Sequence, residues 1–291
     1  MKALITLLWV LHWLPLPILG RLGETVGSLL FTIMRSRRRV TLINLRLCMP
    51  ALLEAQRRQI AKQHFQDYAR SILERGVLWW APQRRLRQLI TIDTAAPLEI
   101  YIGKPLIFLC PHFVCLDVAG VAIALDHPAC SMYTPQRNPE FDHALRKGRE
   151  RFQPVKLFSR ADGIKPVIRA MRQGLPFFML PDMDFGMQNA TFATFFGVPA
   201  ATLTATARIA AATNAVVVPV IATYLPNYQG WQVHFYPAWV DYPGDDIQVA
   251  TQRMNNFIEE QVRVEPAQYL WTHKRFKTRP PGQADVYARA L

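Results

Sequence analysis

The sequence predicts an α/β domain with a mixed sheet flanked by helices, preceded by an N-terminal membrane-anchoring helix. After residue 40, short apolar runs of strand length alternate with helical patterns of about ten residues, which is typical of a sheet covered on both faces. Before residue 40, an uncharged run from Ala3 to Gly20 approaches the length that spans a bilayer. No internal repeat or low-complexity linker interrupts the chain, so we expect an anchor over residues 1–40 and one domain over residues 41–291.

The predicted anchor has three parts. As a helix, the 18 residues of the uncharged run would reach about 27 Å, slightly less than the roughly 30 Å of a hydrocarbon core, and Pro15 and Pro17 would kink it. A second apolar stretch, Val26 to Met34, follows. A signal peptide is disfavoured because no small-residue cleavage site follows, whereas a buried pair of core helices remains an alternative. An arginine cluster of the kind that stays cytoplasmic and binds anionic head groups ends the segment: Arg35, Arg37, Arg38 and Arg39.

The domain after residue 40 begins with a long amphipathic helix, from Gln56 to Trp80. The predicted strands are Pro105–Cys110, Ser131–Tyr133, Val155–Phe158, Pro176–Leu180, Val216–Tyr224 and Trp231–Tyr236. The predicted helices between them are Val118–Leu125, Phe141–Arg151, Ile164–Gln173 and Ala201–Ala212.

The composition limits the classes of function. The 291-residue chain is 51% hydrophobic and 19% charged, which is too apolar for a disordered chain and low in charge for a freely soluble enzyme. Its apolar runs are too interrupted for a polytopic transporter. The net charge of +13 requires an anionic partner: nucleic acid, anionic lipid or an acidic carrier protein. The cysteines show no CxxC or metal-site spacing and are predicted to be buried thiols in a reducing cytosol: Cys48, Cys110, Cys115 and Cys130.

The clearest candidate site follows the strand at Pro105–Cys110. Pro111 ends that strand, and His112 lies at its carboxyl end, where open α/β sheets place ligand sites. Across a turn, the carboxylate of Asp117 can reach back to the imidazole and fix its tautomer, leaving Nε2 free to take a proton. A dyad without an obvious nucleophile suits general-base activation of a substrate hydroxyl. The alternatives are a Cys115 nucleophile, a metal site of Cys110, His112 and Cys115, and a purely structural histidine.

The segment HFVCLD at residues 112–117 matches the HX4D motif of the glycerolipid acyltransferase superfamily. Within that superfamily the chain most resembles the lipid A biosynthesis late acyltransferases, and the matching blocks extend from near residue 41 to residue 280. Those blocks are Asn44–Pro50, Tyr133–Pro139, Asp142 with Gly148–Arg149, Leu180–Gly186, Phe195–Gly197 and Trp271–Pro280.

The resemblance implies a glycerolipid acyltransferase-like fold and an inner-membrane O-acyltransferase whose catalytic domain faces the cytoplasm. The expected donor is acyl-acyl carrier protein, whose acidic surface would suit this basic chain, and the expected acceptor is a hydroxyl of a lipid A precursor. His112 would deprotonate that hydroxyl, and Asp117 would orient and stabilise the imidazolium. No cofactor and no metal would be needed.

Six further residues are predicted to bind substrate. Arg149 and Arg160 could hold a phosphorylated acceptor, because guanidinium groups suit bidentate contact with phosphate. Asp182 and Asp184 follow a strand, and the resemblance implies that they position substrate without a metal. In the basic tail, Arg275 and Lys277 are expected to bind head-group phosphate; nucleic acid is disfavoured because no nucleic-acid motif is recognised.

Three other functions remain open at this point. A lysophospholipid or glycerophosphate acyltransferase shares HX4D but usually has an EGTR-type block where this chain has Leu180–Asp184. A thioesterase would release free fatty acid. A non-catalytic protein that binds anionic membranes is the third, and an intact HX4D motif disfavours it.

Overall fold

The computed structural model describes residues 2–95, 101 and 103–288. Four helices open the chain: α1 (Lys2–Leu11), α2 (Leu16–Ile33), α3 (Arg35–Cys48) and α4 (Glu54–Trp80). The uncharged run is broken before Pro15, because proline lacks the N–H that would continue α1 and suits the start of the next helix. Helix α2 then joins the second half of that run to the later apolar stretch. The predicted division at residue 40 stays a prediction, and α3 runs across it without a break.

The remaining elements form an α/β domain, as predicted. The helices are α5 (Gln83–Leu89), α6 (Leu116–Asp126), α7 (Pro139–Arg149), α8 (Lys165–Arg172), α9 (Ala205–Thr213) and α10 (Ile247–Val264). The strands are β1 (Ile90–Thr94), β2 (Leu106–Leu109), β3 (Ala129–Tyr133), β4 (Val155–Ser159), β5 (Phe177–Met179), β6 (Ala190–Phe195), β7 (Val198–Leu203), β8 (Val216–Tyr224) and β9 (Trp231–Phe235).

In the described part of the chain, seven strands form one mixed sheet in the order β1-β9-β8-β2-β5-β3-β4. Neighbouring strands are parallel except β8 and β9. Strand β2 is buried on both faces: Leu106 and Phe108 point into one hydrophobic core, and Ile107 and Leu109 into the other. Two cores on opposite faces explain why the central strands are continuous apolar runs rather than alternating ones.

Strands β6 and β7 form a separate antiparallel hairpin. Its two-residue turn, Phe196 and Gly197, has positive φ at both positions, as a type I′ turn requires. The predicted helix Ala201–Ala212 is wrong in its first turn, because residues 201–203 pair within this hairpin and α9 begins at Ala205. Asp246 caps α10 by accepting hydrogen bonds from the next turn.

Helix α2 packs along α4 through glycines. A Cβ added to Gly23 would lie 2.5 Å from Cγ of Arg70, and one added to Gly27 would lie 2.4 Å from Cα of Gln66. These positions therefore admit no side chain, and the two backbones approach closely. Helix α2 is the one described helix long and apolar enough to cross a membrane. Large apolar side chains of α1, α2 and the turns beside them remain exposed: Leu7, Trp9, Val10, Trp13, Ile18, Leu22, Leu29, Ile33 and Met34.

Candidate active site

A histidine–carboxylate dyad lies where two neighbouring parallel strands end. His112 follows β2, and Asp182 follows β5, which pairs with β2 in parallel. Nδ1 of His112 lies 2.6 Å from Oδ1 of Asp182, and the backbone N–H of His112 donates to the same carboxylate at 3.1 Å. Two bonds from one residue to one carboxylate fix both the backbone and the ring of the histidine.

The arrangement leaves the second ring nitrogen available. A carboxylate only accepts, so the proton of a neutral imidazole sits on Nδ1, and Nε2 carries the free lone pair. Burial opposes ionisation of Asp182, but attraction to His112 and the bonds from it lower the pKa of that carboxyl to about 2. The side chain of His112 is 13% exposed and that of Asp182 is 1% exposed. The dyad is therefore an ionised orienting carboxylate behind an accessible base.

The prediction that Asp117 orients His112 is wrong. Asp117 lies in the first turn of α6, and its two oxygens are held by arginines, Nη2 of Arg149 at 2.7 Å and Nη2 of Arg75 at 2.9 Å. Burial opposes ionisation, but these two cations lower the pKa of Asp117 to about 2. Its carboxylate fixes two guanidinium groups from α7 and α4, and Asp182, already bonded to the ring, takes the orienting position.

A mostly apolar cavity lies beside Asp117 and Arg149. Counting its open mouth and the solvent space there, it contains about 730 Å³ not filled by atoms. Apolar side chains of α4, α6, β4 and β5 line it, together with Asp117 and Arg149. Leu180, two residues before Asp182, also lines it. A chain of methylene groups bound in this cavity would lie close to the charged side chains of Asp117 and Arg149.

Asp184 and Arg275 do not have the substrate-binding positions predicted for them. Asp184 is 4% exposed, and its carboxylate accepts from the backbone N–H and the hydroxyl of Thr278 at 2.7 and 2.8 Å. Arg275 is 1% exposed and donates to the carbonyl of Ala201 and the hydroxyl of Thr202, both at 2.8 Å. Both predictions are wrong for the same reason, since each charge is used to fix the C-terminal segment against the domain.

The other predicted binding residues are exposed. The guanidinium of Arg160 lies 3.8 Å from the ring centroid of Phe185, in the loop that follows Asp182. Arg160 thus contacts the loop after Asp182, whereas Lys277 is exposed and has no side-chain partner among the residues described. Binding of phosphate by Arg149, Arg160 and Lys277 stays a prediction.

The four cysteines are buried and free, as predicted. Cys115 is 2% exposed, and burial raises the pKa of its thiol well above the usual value. A thiol that ionises so reluctantly is a poor nucleophile. The structure therefore favours His112 as a general base over Cys115 as a nucleophile.

Sequence reasoning missed the pairing of Asp182 with His112 and the contribution of Arg75. The first follows once β2 and β5 are placed side by side, because both residues had already been assigned to carboxyl ends of strands. Arg75 lies inside a long helix rich in arginine, and no spacing distinguishes it from the others. Only the packing of α4 against α6 brings it to Asp117.

Comparison with known protein sequences identifies the family. The sequence model described as bacterial lipid A biosynthesis acyltransferase matches residues 2–278. The chain belongs to this family. It is 32% identical to the lipid A biosynthesis lauroyltransferase of Escherichia coli K12 over 97% of this chain and 93% of that protein. The lipid A biosynthesis myristoyltransferase of the same organism is 33% identical, over 94% of this acyltransferase and 84% of the relative.

The palmitoleoyltransferase of the same organism shares 28% identity with this acyltransferase, over 96% of this chain and 92% of that protein. The three relatives are named for different acyl chains. Family membership therefore identifies the class of enzyme and leaves the chain length to be argued from the cavity.

Proposed function

We propose that this acyltransferase moves a fatty acyl chain from acyl-acyl carrier protein to a hydroxyl of a lipid A precursor. The observation that carries the proposal is the His112–Asp182 dyad, whose Nε2 has no partner among the described residues, with an apolar cavity that reaches Leu180, two residues before Asp182. A base suits an alcohol acceptor, and an apolar cavity suits an acyl chain. The relatives' names supply the acceptor class, and the net charge of +13 suits an acidic carrier.

The reaction needs one proton to move twice. Nε2 of His112 takes the proton of the acceptor hydroxyl while its oxygen attacks the thioester carbonyl carbon. The resulting tetrahedral intermediate then breaks its carbon–sulfur bond, and the imidazolium returns the proton to the leaving thiolate. Asp182 stabilises the imidazolium between these steps. Arg149, held by Asp117, presents its remaining N–H groups to the anionic substrates at the cavity.

The acceptor can be tested by competition. A lipid A precursor and lysophosphatidic acid, offered together in one detergent mixture with the same labelled donor, should compete unequally. We expect label almost entirely in the lipid A precursor, because Arg149, Arg160 and Lys277 provide more cationic groups than the single phosphate of a lysophospholipid requires. Preferential labelling of the lysophospholipid would overturn the proposal, and release of free fatty acid alone would indicate a thioesterase.

The length of the acyl chain should depend on Gly120. This residue of α6 lines the cavity, and a Cβ added to it meets no atom within 4 Å. Gly120→Leu should therefore fill cavity space without disturbing the fold, and alanine or leucine in a helix is favoured over glycine by up to about 1 kcal/mol. We expect loss of activity with the longest donor that the wild type accepts, and retention with shorter donors.

Donors of increasing chain length, assayed singly with the wild type and with Gly120→Leu, measure this shift. Ala211→Leu adds a comparable side chain at an exposed position of α9 and is the control. An unchanged chain-length profile in the Gly120 variant would show that the acyl chain lies elsewhere.

We propose further that α1 and α2 hold the enzyme at the bacterial inner membrane with the site facing the cytoplasm. Their exposed apolar side chains support this placement. The arginine cluster that follows is partly bonded within the protein: Arg38 donates to the carbonyl of Phe31 at 2.8 Å and Arg39 to that of Tyr287 at 2.7 Å. Carbonyl partners leave the positive charges intact, so the cluster can still attract anionic lipid.

Replacing Arg35 with glutamine should weaken binding to anionic vesicles at low salt by about 1 kcal/mol, the usual contribution of one basic residue near such a surface. Arg35 is exposed and, in the described part of the chain, has no partner to lose. Vesicle cosedimentation at two salt concentrations measures the effect. Arg208→Gln, an exposed change of the same charge on α9, is the control, and equal effects of the two variants would contradict a specific role for the cluster.

A further inference from the structure

One histidine of the C-terminal segment has no place in the mechanism above. His273 lies between the two loops that carry the dyad. Its Nε2 accepts a hydrogen bond of 3.1 Å from the backbone N–H of Asp184, and its carbonyl accepts one of 2.8 Å from Asn44. Three residues before it, the N–H of Leu270 donates to the carbonyl of His112 at 2.9 Å. The ring is thus bonded to the loop that follows Asp182, and the backbone just before His273 is bonded to His112.

These contacts determine the tautomer of the ring. A backbone N–H can only donate, so Nε2 of His273 carries no proton in this contact, and the hydrogen of the neutral imidazole sits on Nδ1. Burial lowers the pKa of His273 to about 4, so the ring is neutral near pH 7. Nδ1 has no hydrogen-bond partner among the residues that the structure describes, and the residue is only half-buried.

The backbone N–H bonded to the ring belongs to the residue two positions after Asp182, so the ring lies close to the dyad. His273 interacts electrostatically with His112 and Asp182, as well as with Asp184 and Arg275. Of these groups, Asp184 is bonded to Thr278 and Arg275 is bonded to the β7 strand. The ring therefore lies near the base with an N–H that has no partner among the described residues, and because the ring is neutral it adds no cation that would oppose protonation of His112.

We propose that His273 is a second catalytic histidine, whose Nδ1–H donates a hydrogen bond to the thioester carbonyl oxygen as it becomes the oxyanion of the tetrahedral intermediate. The inference rests on the proposed acyl transfer. A fixed neutral donor is suited to this role, because its geometry is set before the charge develops. The covalent steps are unchanged: His273 neither gains nor loses a proton.

Two amide variants separate the two nitrogens of the ring. In His273→Asn the side-chain amide nitrogen can occupy the position of Nδ1, whereas in His273→Gln the amide oxygen can occupy that of Nε2. Asparagine thus keeps a donor and loses the acceptor for Asp184, and glutamine does the reverse. We expect His273→Gln to lower kcat by about 10²- to 10³-fold, the usual cost of one oxyanion donor, with KM little changed. His273→Asn should retain most of kcat.

The assay uses the full chain in detergent with a labelled acyl carrier protein donor and a lipid A precursor, and thermal unfolding of each variant reports the fold. An active Gln variant with an impaired Asn variant would overturn the proposal and assign His273 to holding Asp184. Equal rates in the two variants, whether high or low, would also overturn it. The wild-type rate tests the proposed function separately, so the two failures are distinguishable.

Discussion

Replacing His112 with alanine should lower acyl transfer by about 10²- to 10⁴-fold or more, the usual contribution of a general base. The side chain is 13% exposed and bonds to Asp182, so its loss removes a base from the site without opening a large cavity in either core. Steady-state transfer to the lipid A precursor, with thermal unfolding of the same preparation, measures both effects.

Cys115→Ala is the matched control for this variant, because the thiol is close in sequence but buried. It should stay active. A folded His112→Ala enzyme with near-normal turnover would contradict direct transfer, and an inactive but folded Cys115→Ala enzyme would restore the nucleophile alternative.

Asp182→Asn should lower turnover by about 10⁴-fold, the loss seen when the carboxylate behind a catalytic histidine becomes an amide that favours the wrong tautomer. The variant also removes the negative charge that stabilises the imidazolium. We therefore expect the acid limb of the pH–rate profile to move to lower pH. Stopped assays across a pH series measure both the size of the loss and the shift.

Asp117→Asn distinguishes the two carboxylates. It should also impair turnover, because Arg75 and Arg149 lose their shared partner, but the acid limb should keep its position. A shifted limb in the Asp117 variant and an unshifted one in the Asp182 variant would return the orienting role to Asp117.

Much of the sheet is predictable from sequence because its central strands are buried on both faces. Val216–Tyr224 is a continuous apolar run, and β8 has those bounds. Edge strand β1 was not predicted, since four of its five residues are exposed and its apolar alternation is limited to Ile90 and Ile92. Helix α10 was also missed, although Met254, Ile258 and Val262 repeat at helical spacing and Asp246 is a good N-cap. This helix is therefore predictable from the sequence.

The candidate site was likewise predictable from sequence only in part. His112 was found because its strand, the proline after it and the motif are local in sequence. Asp117 was preferred as its partner because it is only five residues away, whereas Asp182 is 70 residues away and becomes a neighbour through the β2–β5 pairing. The burial of Arg275 could not be read from a tail in which Lys274 and Lys277 are exposed. Local sequence identifies the base, and the strand order identifies its partner.

Helix α4 has a consequence for how the enzyme meets its acceptor. Gln66 packs on Gly27 of α2, and Arg75 holds Asp117, so about nine residues, or roughly 14 Å of helix, join the exposed apolar helices to the site. With α1 and α2 in the bilayer, as proposed, the active site lies at a fixed distance from the membrane surface. The enzyme then meets its lipid acceptor by lateral diffusion in the plane of the membrane. The frequency of productive encounters then follows the number of acceptor molecules per unit area, so diluting the acceptor with inert lipid slows the reaction even when its bulk concentration is constant.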